Sequence, residues 1–172
     1  LTNCTTLNNG LSDDTAIDFV QNNDQQFLAA TKNHGIYSFN MSDSIWQQNN
    51  WGLTSNKLSV LDKDENGFLY AGTTDKGVFK SIEGGAYWNA VDNGLPPYVN
   101  CMIINQDSYV FAGTSNGVYR LNAGASMWNV LNEGVSSKII RDLAINSKGY
   151  VFMAADSGIY RSNTSTLQET PD

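Results

Sequence analysis

The chain has one histidine, two cysteines and three prolines in 172 residues, and only 10 Lys+Arg against 17 Asp+Glu. Each scarcity excludes something. His34, Cys4 and Cys101 show no metal-ligand spacing, so a metal centre with nitrogen and sulfur ligands is not expected, and nothing else in the chain calls for a cofactor. The basic residues are scattered and the formal net charge is -7. Nucleic acid and anionic membranes are therefore disfavoured as partners, because both need concentrated positive charge. No apolar run nears the roughly 20 residues that span a bilayer, and the N-terminus lacks the charged and apolar regions of a signal peptide. The chain opens on Leu1 rather than Met, which reads as a processed product, an excised domain or a partial sequence. With 41% hydrophobic and 11% aromatic residues, residues 1–172 are expected to form a single globular unit with a real core.

A sustained helical period with caps is also missing. What the chain has is a repeat. Segments opening "NNGLSDD", "NWGLTSN", "DNGLPPY" and "NEGVSSK" place Gly10, Gly52, Gly94 and Gly134 at intervals of 42, 42 and 40. A second landmark, "HGIYS", "KGVFK", "NGVYR" and "SGIYR", places Gly35, Gly77, Gly117 and Gly158 at intervals of 42, 40 and 41. Trp46, Trp88 and Trp128 each follow the second glycine by 11 residues. Three landmarks in one register divide the chain into repeats of approximately 9–49, 50–91, 92–131 and 132–172.

Within each repeat the pattern is β. Runs such as "FLYAGT" and "YVFAGT" mix β-branched, aromatic and small residues, "GVFKS" alternates, and Gly, Asn, Asp and Ser bound every run. First strands are expected near residues 17–20, 58–61, 101–104 and 143–145, and second strands near 26–30, 68–72, 109–113 and 150–154. Third strands follow the second glycine and fourth strands carry the Trp. About 40 residues with four short antiparallel strands is the size of one propeller blade. The fold class is therefore all-β, a propeller of about four repeats.

These repeats resemble those of Asp-box (BNR-type) propellers and of two-component regulator propellers, and the resemblance covers nearly the whole chain. The regulator-type pattern is carried by Gly52, Leu53, Gly67, Ala71, Gly72, Thr73, Gly77 and Val78. The Asp-box, S-x-D-x-G-x-x-W, is matched by Ser81, Glu83, Gly85 and Trp88, with Glu for Asp; the first and third repeats keep only Trp46 and Trp128. The resemblance implies an extracellular or periplasmic setting, in a sensor ectodomain or a surface protein. It assigns residues 81–88 a structural role: a hairpin whose Ser and acidic side chains cap backbone groups, whose Gly takes a positive φ, and whose Trp packs between sheets.

The two ends are in phase. Residues 1–8 occupy the register of a fourth strand, with Cys4 where a Trp would fall, while the last repeat has Glu169 at its Trp position. Two arrangements fit: the N-terminal strand completes the last blade and closes the ring, or the chain is part of a larger propeller, including one shared by two copies. Cys4 is then on an outer strand and Cys101 on an inner one, which disfavours a disulfide.

Candidate sites are the places where the repeats disagree. Trp51 replaces Asn9, Asn93 and Glu133, and Tyr98 follows Pro96 and Pro97; both suit stacking on a sugar or peptide, with Arg141 as a third ligand-binding candidate. Asp18, Asp62 and Asp142, on inner strands, are the candidates for a glycoside-hydrolase carboxylate pair. Arg141 has Asp142 and Asp18 as possible ion-pair partners. His34 falls on a turn, and Asn3, Asn40 and Asn163 begin glycosylation sequons. The repeats are uniform in length and carry no irregular catalytic insertion. The leading expectation is accordingly a non-catalytic module that recognises a protein or glycan, with a homodimer or larger propeller as its assembly. A polysaccharide-cleaving enzyme and a purely structural segment are the alternatives.

Overall fold

The computed structural model of the chain describes residues 3–12, 15–136 and 138–166, and all regular structure in them is β. Four antiparallel meanders follow one another. The first is β1 (Ala16–Gln21), β2 (Phe27–Thr31), β3 (Ile36–Asn40) and β4 (Ile45–Gln48). The second is β5 (Leu58–Lys63), β6 (Leu69–Thr73), β7 (Val78–Ser81) and β8 (Asn89–Ala90), and the third is β9 (Val99–Ile104), β10 (Val110–Thr114), β11 (Gly117–Leu121) and β12 (Trp128–Val130). The fourth contains β13 (Ile140–Ile145), β14 (Val151–Ala155) and β15 (Gly158–Arg161). Strands β6 and β10 are buried at every residue, which is why "LYAGT" and "VFAGT" do not alternate: both faces of their sheets are covered.

The sheets stack face to face, first on second, second on third and third on fourth, with the inner strands β1, β5, β9 and β13 side by side in that order. Between the first two sheets Leu28, Ala30 and Ile36 meet Leu58, Leu61 and Trp88. Tyr70 and Val78 meet Val99, Met102 and Trp128 at the next interface, and Phe111 and Val118 meet Ile140 and Leu143 at the third. The small residues of the second strands have a cause here. A methyl on Gly72 would stand 3.0 Å from Val99 Cγ1, and one on Gly113 would stand 2.7 Å from Ile140 Cγ2.

The landmark glycines are equally constrained. Gly52 has φ +80, and a Cβ there would overlap the Trp88 carbonyl oxygen; Gly94 has φ +83 and would meet the Trp128 carbonyl at 3.1 Å. The first glycine of each of the first three repeats thus lies under the backbone of that repeat's own Trp. Each inner strand also carries a bulge after its first residue, at Ile17, Ser59, Asn100 and Arg141. The bulge adds one residue that no partner on the second strand faces.

Closure through the N-terminal strand is not what the structure forms. Described residues 3–8 carry no strand, and β15 has no fourth neighbour among the described residues. Trp46 Nε1 donates to Leu7 O at 2.7 Å and Trp46 N to Asn9 O at 2.9 Å, so residues 7–9 are pinned on the first sheet. Val91, whose amide bonds Val78 of the second sheet, and Asn93 hold Trp128 of the third in the same way. Glu169 lies outside the described residues. Among the described residues the four sheets form an open arc, with Phe19 exposed on the first sheet and Ile159 on the fourth.

Candidate functional site

At one end of the sheets, the turns between second and third strands meet the segments that lead into the next inner strand. The backbone there repeats: Gly35 N bonds Asn56 O and Gly77 N bonds Pro97 O, each at 2.9 Å. Lys32 N bonds Thr15 O, Thr74 N bonds Lys57 O and Asp156 N bonds Ile139 O at 3.0–3.3 Å. Side chains lock the same turns. Thr31, Thr73 and Thr114 donate their hydroxyls to Gly35, Gly77 and Gly117 carbonyls, while Asn50 and Asn132 cap the amides of Ile36 and Val118.

On this common frame the exposed side chains differ from sheet to sheet. Thr15, Lys57, Tyr98 and Ile139 occupy one register position; Ile17, Asn100 and Arg141, all exposed, and Ser59, whose Oγ is buried, occupy the bulge two residues on. Tyr98 is 55% exposed. Lys57 pairs with Asp75 at 3.6 Å, and Ser55 Oγ bonds the same carboxylate. Arg141 pairs with Asp156, its Nε 2.7 Å and its Nη2 3.2 Å from the two carboxylate oxygens, which raises its pKa. Asp142 and Asp18 are not its partners. The bulge turns Arg141 toward the β14–β15 turn instead.

Trp51 is the most exposed aromatic, at 75%, but it lies elsewhere. Its carbonyl accepts the Trp88 amide near the outer strand, so it stands on the rim while Tyr98 stands at the head of an inner strand. His34 is an exposed turn residue whose amide bonds Thr31 Oγ1. The sequon residues Asn3, Asn40 and Asn163 are all exposed.

The inner-strand carboxylates have backbone tasks. Asp18 accepts the amide of Phe19 at 2.9 Å through one oxygen and that of Leu61, in the next sheet, at 2.8 Å through the other. Asp62 accepts the amides of Lys63 and Ile104, again one of them in the next sheet. Asp142 accepts the Leu143 amide at 2.9 Å. An inner strand has a free edge, and these side chains pair with amides that no further strand reaches. Burial raises the Asp62 pKa, aided by the charges of Asp18 and Asp64 and opposed by the two amides.

Residues 81–88 form the expected hairpin. Ser81 Oγ accepts the amides of Gly85 at 3.0 Å and Glu83 at 3.4 Å, Gly85 has φ +98, and Trp88 is 1% exposed. The Glu83 side chain is exposed, and its amide rather than its carboxylate takes part.

A further repeated feature was missed in the sequence: Asn22, Asp64, Asn105 and Asn146 each accept, through Oδ1, the amide four residues on. Their even spacing, 42, 41 and 41 residues, was the available signal. Asp64 is 4% exposed; burial raises the pKa of Tyr70, the Asp64 charge adds to the rise, and the Tyr70 hydroxyl donates to Asp64 at 3.5 Å. These Asx turns build the opposite end of the sheets.

Successive four-stranded meanders stacked face to face around their inner strands define a β-propeller, and this chain has that fold. No protein-family model and no curated protein matches it, so its known likenesses are to solved structures. One is the extracellular domain described for the hybrid two-component system BT4673 of B. thetaiotaomicron, at 18% identity and TM-score 0.74, covering 93% of this chain and 23% of that one. PorZ, described as a bacterial surface component of the type-IX secretion system of Porphyromonas gingivalis, is 13% identical with TM-score 0.66, covering 85% of this chain and 25% of that one. The computationally designed protein Ika4 is 13% identical with TM-score 0.69, covering 88% of this chain and 92% of that one. This chain thus spans about a quarter of the two natural proteins and most of the designed one.

Proposed function

We propose that the chain is a non-catalytic recognition module, a stretch of propeller that presents its Lys57, Tyr98 and Arg141 end to a protein or glycan ligand, outside the cell or in the periplasm. The observation that carries this reading is the contrast at that end. Recurring backbone bonds hold a rigid frame, and the exposed side chains on it do not recur. Variable groups on a fixed scaffold are how folds of this kind acquire a binding specificity. Tyr98 supplies a flat apolar face for a sugar ring or a peptide side chain, and Lys57 and Arg141 supply donors around it. The carboxylates of Asp18 and Asp62 are each engaged by two backbone amides, which supports binding over acid–base chemistry. The extracellular and surface proteins of similar fold support the location and a role in a sensor or surface protein.

The test is a glycan and peptide array probed with the chain and with Tyr98→Ala and Arg141→Ala. Expected is a ligand whose binding falls about tenfold or more in either variant, a loss of roughly 1.4 kcal/mol. Binding untouched by both variants, or polysaccharide cleavage abolished by Asp142→Asn, would overturn the reading.

A further inference from the structure

The arc carries, at its two ends, the two halves of an interface that it makes three times internally. The residue after the second landmark glycine is buried against the next sheet in three cases, Ile36 at 0%, Val78 at 0% and Val118 at 1%; its counterpart Ile159 is 82% exposed. Beside it, Ala154 is exposed where Ala30, Gly72 and Gly113 are buried, and Phe152 is half-buried where Leu28, Tyr70 and Phe111 are buried. The other half lies on inner strands. Leu61, Met102 and Leu143 are 4–7% exposed, and Phe19, at their register position, is 68% exposed. Ala16 is exposed where Leu58, Val99 and Ile140 are buried.

Two further features of the fourth sheet match this. A groove of about 420 Å³, lined among others by Phe111, Val118, Leu131, Met153 and Tyr160, lies between the third and fourth sheets. Phe111 and Val118 are in register with Leu28 and Ile36, which pack on Trp88, so this groove is the place of an outer-strand tryptophan. A Cβ on Gly134 would meet nothing within 4 Å, whereas Gly10, Gly52 and Gly94 lie under an outer-strand carbonyl. Residues 7–9 hold Trp46 as Val91 and Asn93 hold Trp128, which sets residues 4–6 in the register of an outer strand of a preceding sheet.

We propose that two copies of this chain close one ring, the first sheet of each docking on the fourth sheet of the other by the step that relates successive sheets within the chain. Phe19 and Ala16 of one copy then cover Phe152, Ala154 and Ile159 of the next. Residues 4–6 of the incoming copy take the outer-strand place beside β15, and Cys4 enters the groove. Asp142, in register with Asp18, reaches the incoming inner strand as Asp18 reaches Leu61. Two copies bring eight sheets together, within the roughly four to eight of known rings. Each copy carries a net charge of -7, so the apolar contact forms against repulsion and strengthens with added salt.

The experiment is light scattering on the 172-residue chain over a wide concentration range, with Phe19→Asp and Ile159→Asp. Both side chains are exposed in a single copy, so unchanged circular dichroism and thermal unfolding at high dilution verify the fold. Expected is a species of twice the 18.8 kDa chain mass, dissociating at least tenfold more readily in either variant. A mixture of the two variants regains association, because the pair retains one intact contact between unlike faces. Cys4→Trp, which fills the groove, tightens the dimer. A monomer at every concentration, a dimer indifferent to both substitutions, or an open series of growing size would overturn the proposal.

Discussion

Truncating the tryptophans one at a time tests the stacking register. Trp88 is 1% exposed and packs on Leu28 and Ile36 of the first sheet and Leu69 and Phe79 of its own. Trp88→Ala removes a bicyclic side chain from between two sheets whose backbones cannot collapse into the space, so a cost of about 3–5 kcal/mol is expected. For a chain of this length that lowers Tm by about 6–20 °C. Trp51, 75% exposed, touches the fold through its backbone carbonyl, and Trp51→Ala changes stability by no more than about 0.5 kcal/mol. Urea titration followed by circular dichroism gives both values. A loss below about 1 kcal/mol in Trp88→Ala, or equal losses in the two variants, would refute the claim that the Trp landmark marks the interface between sheets. The indole nitrogens refine the test. Trp88 Nε1 is buried without a partner, whereas Trp128 Nε1 donates to Val91 O. Trp128→Phe should therefore cost more than Trp88→Phe, by about 1 kcal/mol or more, because only the former leaves a carbonyl unpaired.

Three more outcomes are expected. Burial pushes the Cys101 thiol up to about 12 while Cys4 is exposed, so iodoacetamide at pH 8 alkylates Cys4 in the native chain and both thiols in denaturant, read by mass spectrometry. The Asp62 pKa is raised by folding, so its contribution favours the folded state below the unfolded value of 3.8 and is lost as pH rises through the raised one. Asp62→Asn accordingly raises Tm at pH 7, and the gain vanishes as pH falls below 3.8. Gly52→Ala destabilises more than Gly134→Ala in urea: both residues have φ near +80, costing about 1–2 kcal/mol, but only Gly52 lies under a tryptophan carbonyl.

The fold was legible because its constraints repeat. A glycine with positive φ under a carbonyl, a second glycine against Asn50 or Asn132, and a tryptophan between sheets each leave one residue type at one spacing. The strand positions came out within a few residues for the same reason. The sequence left two arrangements of the ends open because Cys4 and Leu7 have the right phase for a fourth strand, and phase does not say whether that strand completes the chain's own last sheet or another sheet of a larger propeller. The Trp46 bond to Leu7 fixes only where residues 7–9 meet the first sheet, and that contact spans 39 residues. The candidate carboxylates show the opposite limit: no composition or spacing reveals that Asp18 reaches the amide of Leu61 in the neighbouring sheet. Arg141 was singled out for its place on an inner strand, but its partner depends on a bulge that the sequence does not announce.

The open arc is tested most directly by energy transfer within one chain. Dyes on Gln21 and Asn146, exposed positions at the ends of the first and last inner strands, report whether those strands are neighbours. Cys4→Ser removes the other reactive thiol, and a Gln21 and Glu65 pair on adjacent sheets gives the scale for contact. With labelled chain diluted into excess unlabelled chain, transfer between Gln21 and Asn146 should stay far below that of the adjacent-sheet pair. Transfer as high as in the adjacent pair would mean that the four sheets close on themselves, and would contradict the account.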